Sequence, residues 1–239
     1  MSIRVLSAEL LKIRRKLIWL LVALGPGGVV GLTALNYGLR LDYLTKLHAN
    51  DLWGGLIGDI TALMVPALFM GLAIVSSMAA GIEHQTNAWK MTLALPVTRT
   101  QTFLGKFLLT SLLLLLSSTL TGLGTIALGL ALGFEASGMS WGYLLEQIYY
   151  PYAAIMPFIA LQVAMSVMMH NQALPLAVGV AGTVVSVFSG SRFGDWFPWR
   201  WPSLQNEAND PRFSAALGLI GGVVILAAGL MTFNKKDVK

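Results

Sequence analysis

The chain has 239 residues, of which 56% are hydrophobic and 11% charged, with a formal net charge of +5 and no cysteine. A soluble domain carries about 25% charged residues, so this composition excludes a soluble enzyme domain, a disordered chain and a nucleic-acid binder. The basic residues sit in short segments between apolar runs, which is a pattern of membrane topology. Without cysteine there is no disulfide, thiolate metal site or thiol nucleophile.

Residues 1–16 come first. Ile3, Leu6, Leu10, Ile13 and Leu17 recur at helical spacing, with Arg4, Lys12, Arg15 and Lys16 off that stripe and Arg14 near its edge. This spacing predicts a basic amphipathic helix suited to the headgroup layer of a membrane. Asp, Glu, Lys and Arg are then absent from five runs: 17–39, 60–82, 107–134, 147–191 and 213–234. About 20 apolar residues cross the hydrocarbon of a bilayer, so four of the runs predict one span each. The run 147–191 predicts two, roughly 149–169 and 173–190, turning at His170-Asn171-Gln172 before Pro175. Continuous apolarity favours helices over a barrel. Gly25-Pro26-Gly27-Gly28 predicts a kink or break in the first span.

The expectation is an all-α membrane protein: a single transmembrane domain over 1–239, with six transmembrane helices and an N-terminal amphipathic interfacial helix. Six spans put both termini on one side. That side holds eleven of the 16 Lys and Arg and the other five, which places both termini in the cytoplasm of a cell-membrane protein. Gly27/Gly31, Gly54/Gly58, Gly129/Gly133 and Gly218/Gly222 are small-residue pairs suited to close helix approach.

Two connections stand out. The stretch 83–106, EHQTNAWKMTLALPVTRTQTFLGK, is long for a simple return and combines Trp89 and Leu93 with a break at Pro96. It suits presentation of a small helix to a cytoplasmic partner, or serves only as a positively charged inner loop. Trp89 and Leu93, four apart, would share a helix face, with Glu83 and Arg99 near the two ends of the loop. The stretch 191–212 carries Phe193, Trp196, Phe197, Trp199 and Trp201 with Pro198, Pro202 and Pro211. Its prolines forbid a long helix, and its aromatics suit an anchor in the outer interface or a recognition surface.

The apolar runs hold no Asp, Glu, Lys or Arg, which disfavours ion-coupled transport and intramembrane catalysis. The three histidines lack metal-ligand spacing. Gly105-Lys106 is no phosphate loop, since position 100 is Thr and position 107 is Phe. No catalytic, metal or cofactor residue is assigned, and energy for any driven work must come from another chain.

The order of parts resembles a permease subunit of a type-2 ABC exporter. Glu83, Trp89-Lys90, Leu93, Leu95-Pro96-Val97, Arg99 and Lys106 are similar to the loop pattern of the permeases of lantibiotic immunity and bacitracin-type resistance, with Thr98 in place of the more usual Ser. The resemblance implies a coupling helix over 83–106, a dimer of separate ABC ATPase subunits, and a second permease chain, identical or sister. It implies that the ATPase-coupling residues are Glu83, Trp89, Leu93, Pro96, Arg99 and Lys106. The substrate would be lipophilic, an antimicrobial peptide by this likeness, with Trp196, Trp199 and Trp201 as outer-face substrate or interface residues. A permease for a lipid or an ion, and a membrane scaffold or sensor that transports nothing, are the competing readings.

Overall fold

The computed structural model describes residues 3–85, 98–189 and 193–235. Eight α-helices run through them: α1 Ile3–Ile13, α2 Ile18–Leu47, α3 Leu52–Gln85, α4 Arg99–Ala131, α5 Trp141–Ala154, α6 Met156–Met168, α7 Ala173–Ser189 and α8 Pro211–Lys235. Five segments are long and apolar enough to cross a membrane: α2, residues 52–82 of α3, α4, the α5–α6 pair and α8. The shorter apolar α7 has 17 residues, about 26 Å at 1.5 Å per residue.

The helices outrun the charge-free runs. Backbone hydrogen bonding does not stop where hydrocarbon ends, so α2, α3 and α4 reach 30, 34 and 33 residues. They take in charges that the runs exclude. Asp59 lies on α3, where its carboxylate accepts from Tyr37 Oη at 3.2 Å and sits 3.8 Å from His48 Nε2. Lys106 lies on α4 and is buried.

One expected break falls elsewhere, and one break was not expected. Helix α2 passes through Pro26, which is buried, and its non-helical residue is Arg40 (φ −135°, ψ 32°). The run 147–191 turns at 169–172 as expected, where Gln172 Nε2 donates to Ser166 O (2.9 Å) and Met169 O (2.7 Å) at the end of α6. A second break separates α5 from α6 at Ile155, with a proline in the first turn of α6. Pro157 has no N–H to continue the helical ladder back to Ala153.

Helix α3 is the hub. It packs against α2, α4, α5, α6 and α7, while α6 and α5 pack against α8. The most apolar windows of α3 and α5–α6 are each 61% buried, against 28% for α2 and 22% for α8, so the first pair is central and the second peripheral. Leu56, Ile57, Ile60, Met64, Phe69 and Leu72 of α3 meet Ile148, Phe158, Ile159 and Val163 in one core. The peripheral helices are apolar outside as well: Leu24, Leu32, Leu35, Leu39, Ile220 and Val223 are all more than half exposed. A helix apolar all round suits lipid rather than water.

With lipid as the outer solvent, close packing takes over from the hydrophobic effect between helices. At Gly218 a Cβ would lie 2.3 Å from Ala154 Cα and 2.6 Å from Ala153 O; at Gly222 it would lie 2.7 Å from Met156 Cβ. Helix α8 therefore rests directly on the α5–α6 break. The pair Gly27/Gly31 faces open space instead, because that side of α2 meets no other described helix.

The bundle has two ends. One carries α1, the start of α2, the bases of α3 and α4, the 169–172 turn and the end of α8. It is called the basic end below. The other carries residues 48–51, 132–140 and 193–210 and is called the aromatic end.

Candidate functional site

At the basic end, Glu83 lies within α3 but its side chain is outside the described residues, as are Trp89, Leu93 and Pro96. The structure does describe the base on which that stretch stands. Thr98 caps α4 in a reciprocal box: its hydroxyl accepts from Gln101 N at 3.2 Å, and Thr98 N donates to Gln101 Oε1 at 3.2 Å. This satisfies two backbone donors that a helix start otherwise leaves open. Arg99 Nη1 donates to Asn234 O at 3.5 Å, and Asn234 Nδ2 donates to Thr100 Oγ1 at 3.1 Å, so the end of α8 is tied to the first turn of α4.

Lys106 is 1% exposed and points inward. Its ammonium donates to Glu9 Oε2 on α1 at 3.1 Å and to Ala79 O on α3 at 3.2 Å. Glu9 is 4% exposed and also accepts from Lys12. One buried cation thus joins three helices. Desolvating an ammonium and a carboxylate is expensive unless each is paired and hydrogen-bonded, and both conditions are met. Lys106 therefore joins α1, α3 and α4, with its Nζ buried between them.

Sequence reasoning missed Glu9. It shares a helix face with Val5 and Ile13, and a carboxylate set among apolar neighbours signals a buried cation elsewhere. The stripe of α1 also has a partner that spacing alone did not reveal. Leu6, Leu10 and Ile13 pack with Ile18, Val75, Ala79 and Leu109, so they face the bundle.

At the aromatic end, residues 193–210 form a compact cap. A 3₁₀ turn covers Pro198–Ser203. Trp199 is sandwiched: its ring centroid is 4.9 Å from that of Phe158 on α6 and 5.2 Å from that of Phe197. Trp201 Nε1 donates to Asp195 O at 2.7 Å. Arg200 donates to Phe193 O at 2.6 Å and pairs with Asp195 at 3.2 Å. Leu204 closes the turn at φ 60°. Trp196 differs from the other two: it is 74% exposed, edge-on to Phe193. The structure does not present Trp196, Trp199 and Trp201 as one surface, because two of the rings hold the cap to the bundle.

Beside the cap a cavity of about 350 Å³ opens between α3, α5 and α7. Thr61, Gln147, Ser186, Ser203 and Gln205 line it together with Val65 and Val187, and no charged residue does. Uncharged hydroxyls and amides among apolar side chains can hold a lipophilic molecule that carries its own polar groups.

The family profile described as "ABC-2 family transporter protein" matches residues 5–186, from α1 through most of α7. The chain belongs to the ABC-2 transporter family. Compared with curated proteins, it matches none. ABC-2 membrane chains form the transport component of ABC transporters and lack their own ATP site; such transporters generally work with an ATPase subunit. The basic and aromatic ends are thus two ends of a multi-pass ABC-2 membrane protein.

Proposed function

We propose that this ABC-2 protein is the permease subunit of an exporter that expels a lipophilic peptide, driven by a dimer of separate ATPase subunits beneath paired permease chains. The observation that carries this reading is the Lys106–Glu9–Ala79 junction at the base of the 83–106 stretch. A connection that transmits force needs a foundation that does not yield, and a buried, fully paired ion joining α1, α3 and α4 supplies one. On ATP binding the ATPase dimer closes and presses on the two stretches through Trp89 and Leu93. Helices α1, α3 and α4 then shift together at their bases, and α3 carries the movement to the cavity at the aromatic end. The uncharged lining of that cavity favours a lipophilic peptide over an ion.

In this reading α7 counts as the sixth span, α1 lies at the inner interface, and the basic end is cytoplasmic by the eleven-to-five bias. The absence of cysteine from the chain makes orientation testable. Cysteine at Ala208, which is exposed, is expected to react with an impermeant maleimide in intact cells, and cysteine at Ser2 only after lysis; the reverse pattern contradicts the orientation. Function is tested by co-purifying the chain with its ATPase in nanodiscs and measuring ATP hydrolysis with a lipophilic peptide, a phospholipid or sodium ions added. Stimulation by the peptide is the expected result. Stimulation by phospholipid or sodium alone assigns a different cargo, and a chain that binds no ATPase is a scaffold.

A further inference from the structure

The turn between α1 and α2 carries a feature that neither coupling nor export uses. Residues 14–17 link Ile13, the end of α1, to Ile18, the start of α2. Arg14, Arg15 and Lys16 are consecutive and exposed. No ion pair or side-chain hydrogen bond joins any of the three to another described residue. This contrasts with Lys12 and Lys106, whose ammonium groups both reach Glu9. Beside the three cations lies an open groove of about 690 Å³ lined by Ser7, Leu10, Leu11, Arg14 and Trp19. Its rim is apolar and uncovered: Leu11 is 65% exposed, Leu17 68%, Leu20 57% and Trp19 40%.

Each part of this arrangement points to the same occupant. Cations without anionic partners need counter-charge. Exposed leucines one turn away need hydrocarbon. A Trp at the start of a membrane-crossing helix prefers the level where the two meet. Only a molecule with an anionic head and an apolar tail satisfies all three at once. We propose that the α1–α2 turn is a binding site for one anionic phospholipid, with its phosphate between Arg14 and the Arg15–Lys16 pair and an acyl chain along Leu11, Trp19 and Leu20. The lipid covers the exposed back of α1 whose other face packs on Val75 and Leu109, and so holds Glu9 against Lys106. The site requires only that this end lie at a membrane surface, so it stands whether or not the cargo is a peptide.

The test uses the full chain in detergent with phosphatidylglycerol or phosphatidylcholine titrated in, and native mass spectrometry to count bound lipids. One phosphatidylglycerol is expected to bind at least tenfold more tightly than phosphatidylcholine, the gain coming from the basic residues near its anionic head. The triple variant Arg14→Gln, Arg15→Gln, Lys16→Gln is expected to abolish the preference. The charge-matched variant Lys235→Gln, Lys236→Gln, Lys239→Gln should keep it. Brominated phosphatidylglycerol is expected to quench fluorescence in the parent chain more than in Trp19→Phe. Equal loss of preference in the two triple variants, or retention in the first, overturns the site. So does a 14–16 variant that keeps its lipid but loses the ATPase subunit, which reassigns the cations to a protein partner.

Discussion

The two ends of this ABC-2 protein are held by different physics. At the basic end the strongest element is a buried charge: Lys106 is enclosed by Glu9 and Ala79 O, and three helices converge on it. At the aromatic end the cap is held by ring stacking of Trp199 on Phe158 and Phe197, with Arg200–Asp195 pinning its edge. The charged junction is directional and fails when either partner is lost. The aromatic cap distributes its contacts, so it can be trimmed ring by ring, and it borders an uncharged cavity. A foundation that must not yield and a cover that must let something pass impose opposite demands, and the two ends divide along that line.

Removing the carboxylate at the basic end should have the largest effect. Glu9→Ala leaves the Lys106 ammonium buried without its anion, a cost of about 3–5 kcal/mol, read as a large drop in thermal stability of the purified chain. The double replacement Glu9→Leu with Lys106→Met should recover most of that stability, because removing both charges removes the desolvation problem. It should not restore transport if the ion pair also sets the angle of α1. Full recovery of both would make the junction ordinary packing.

Next is the helix contact that links the ends. Gly218→Val drives a side chain into the backbone at Ala153 and Ala154, and overpacking of this kind costs about 1–3 kcal/mol. Gly27→Val, which meets nothing within 4 Å, should unfold within error of the parent. If both behave alike, α8 does not rest on the α5–α6 break.

At the aromatic end the effects should separate by ring. Trp199→Ala removes a ring stacked on two others and should cost about 2–4 kcal/mol, with loss of the cap's shape. Trp196→Ala removes an exposed ring and should leave stability within about 0.5 kcal/mol of the parent, while reducing protection against a membrane-active peptide in cells. Unchanged protection would leave Trp196 as a membrane anchor only. Arg99→Ala should also have a small effect on stability. Its guanidinium makes a long bond to Asn234 O, and an exposed contact of this kind contributes about 0–1 kcal/mol. Its effect should appear in ATP hydrolysis per substrate moved, measured in the reconstituted complex, rather than in melting.

The membrane architecture was legible because apolarity is a local property. The charge-free runs are helical over most of their described length, and His170-Asn171-Gln172 marks the turn between α6 and α7. The break at Ile155 was signalled only by Pro151 and Pro157, six residues apart within an otherwise continuous apolar run. The helix ends were less legible, since Asp59 and Lys106 interrupt apolarity without interrupting backbone hydrogen bonds. The ends of the bundle were read least well, for a reason of range. Glu9 and Lys106 are 97 residues apart, and nothing local tells a paired lysine from one offered to a partner. In the same way, composition counts three tryptophans within six residues and cannot say that Trp199 and Trp201 point in while Trp196 points out. The stretch from Trp89 to Pro96 lies outside the described residues, and its role in coupling rests on the proposal.

The most direct test of that proposal is ATP hydrolysis by the co-purified complex in nanodiscs, with and without a lipophilic peptide, for the parent, Trp89→Ala and the Glu9→Leu, Lys106→Met pair. The account predicts that the peptide stimulates hydrolysis in the parent. It predicts that Trp89→Ala recovers less ATPase, and that the double variant binds ATPase normally but loses stimulation. Parent-like recovery and stimulation in both variants would contradict it and leave 83–106 as a topological loop.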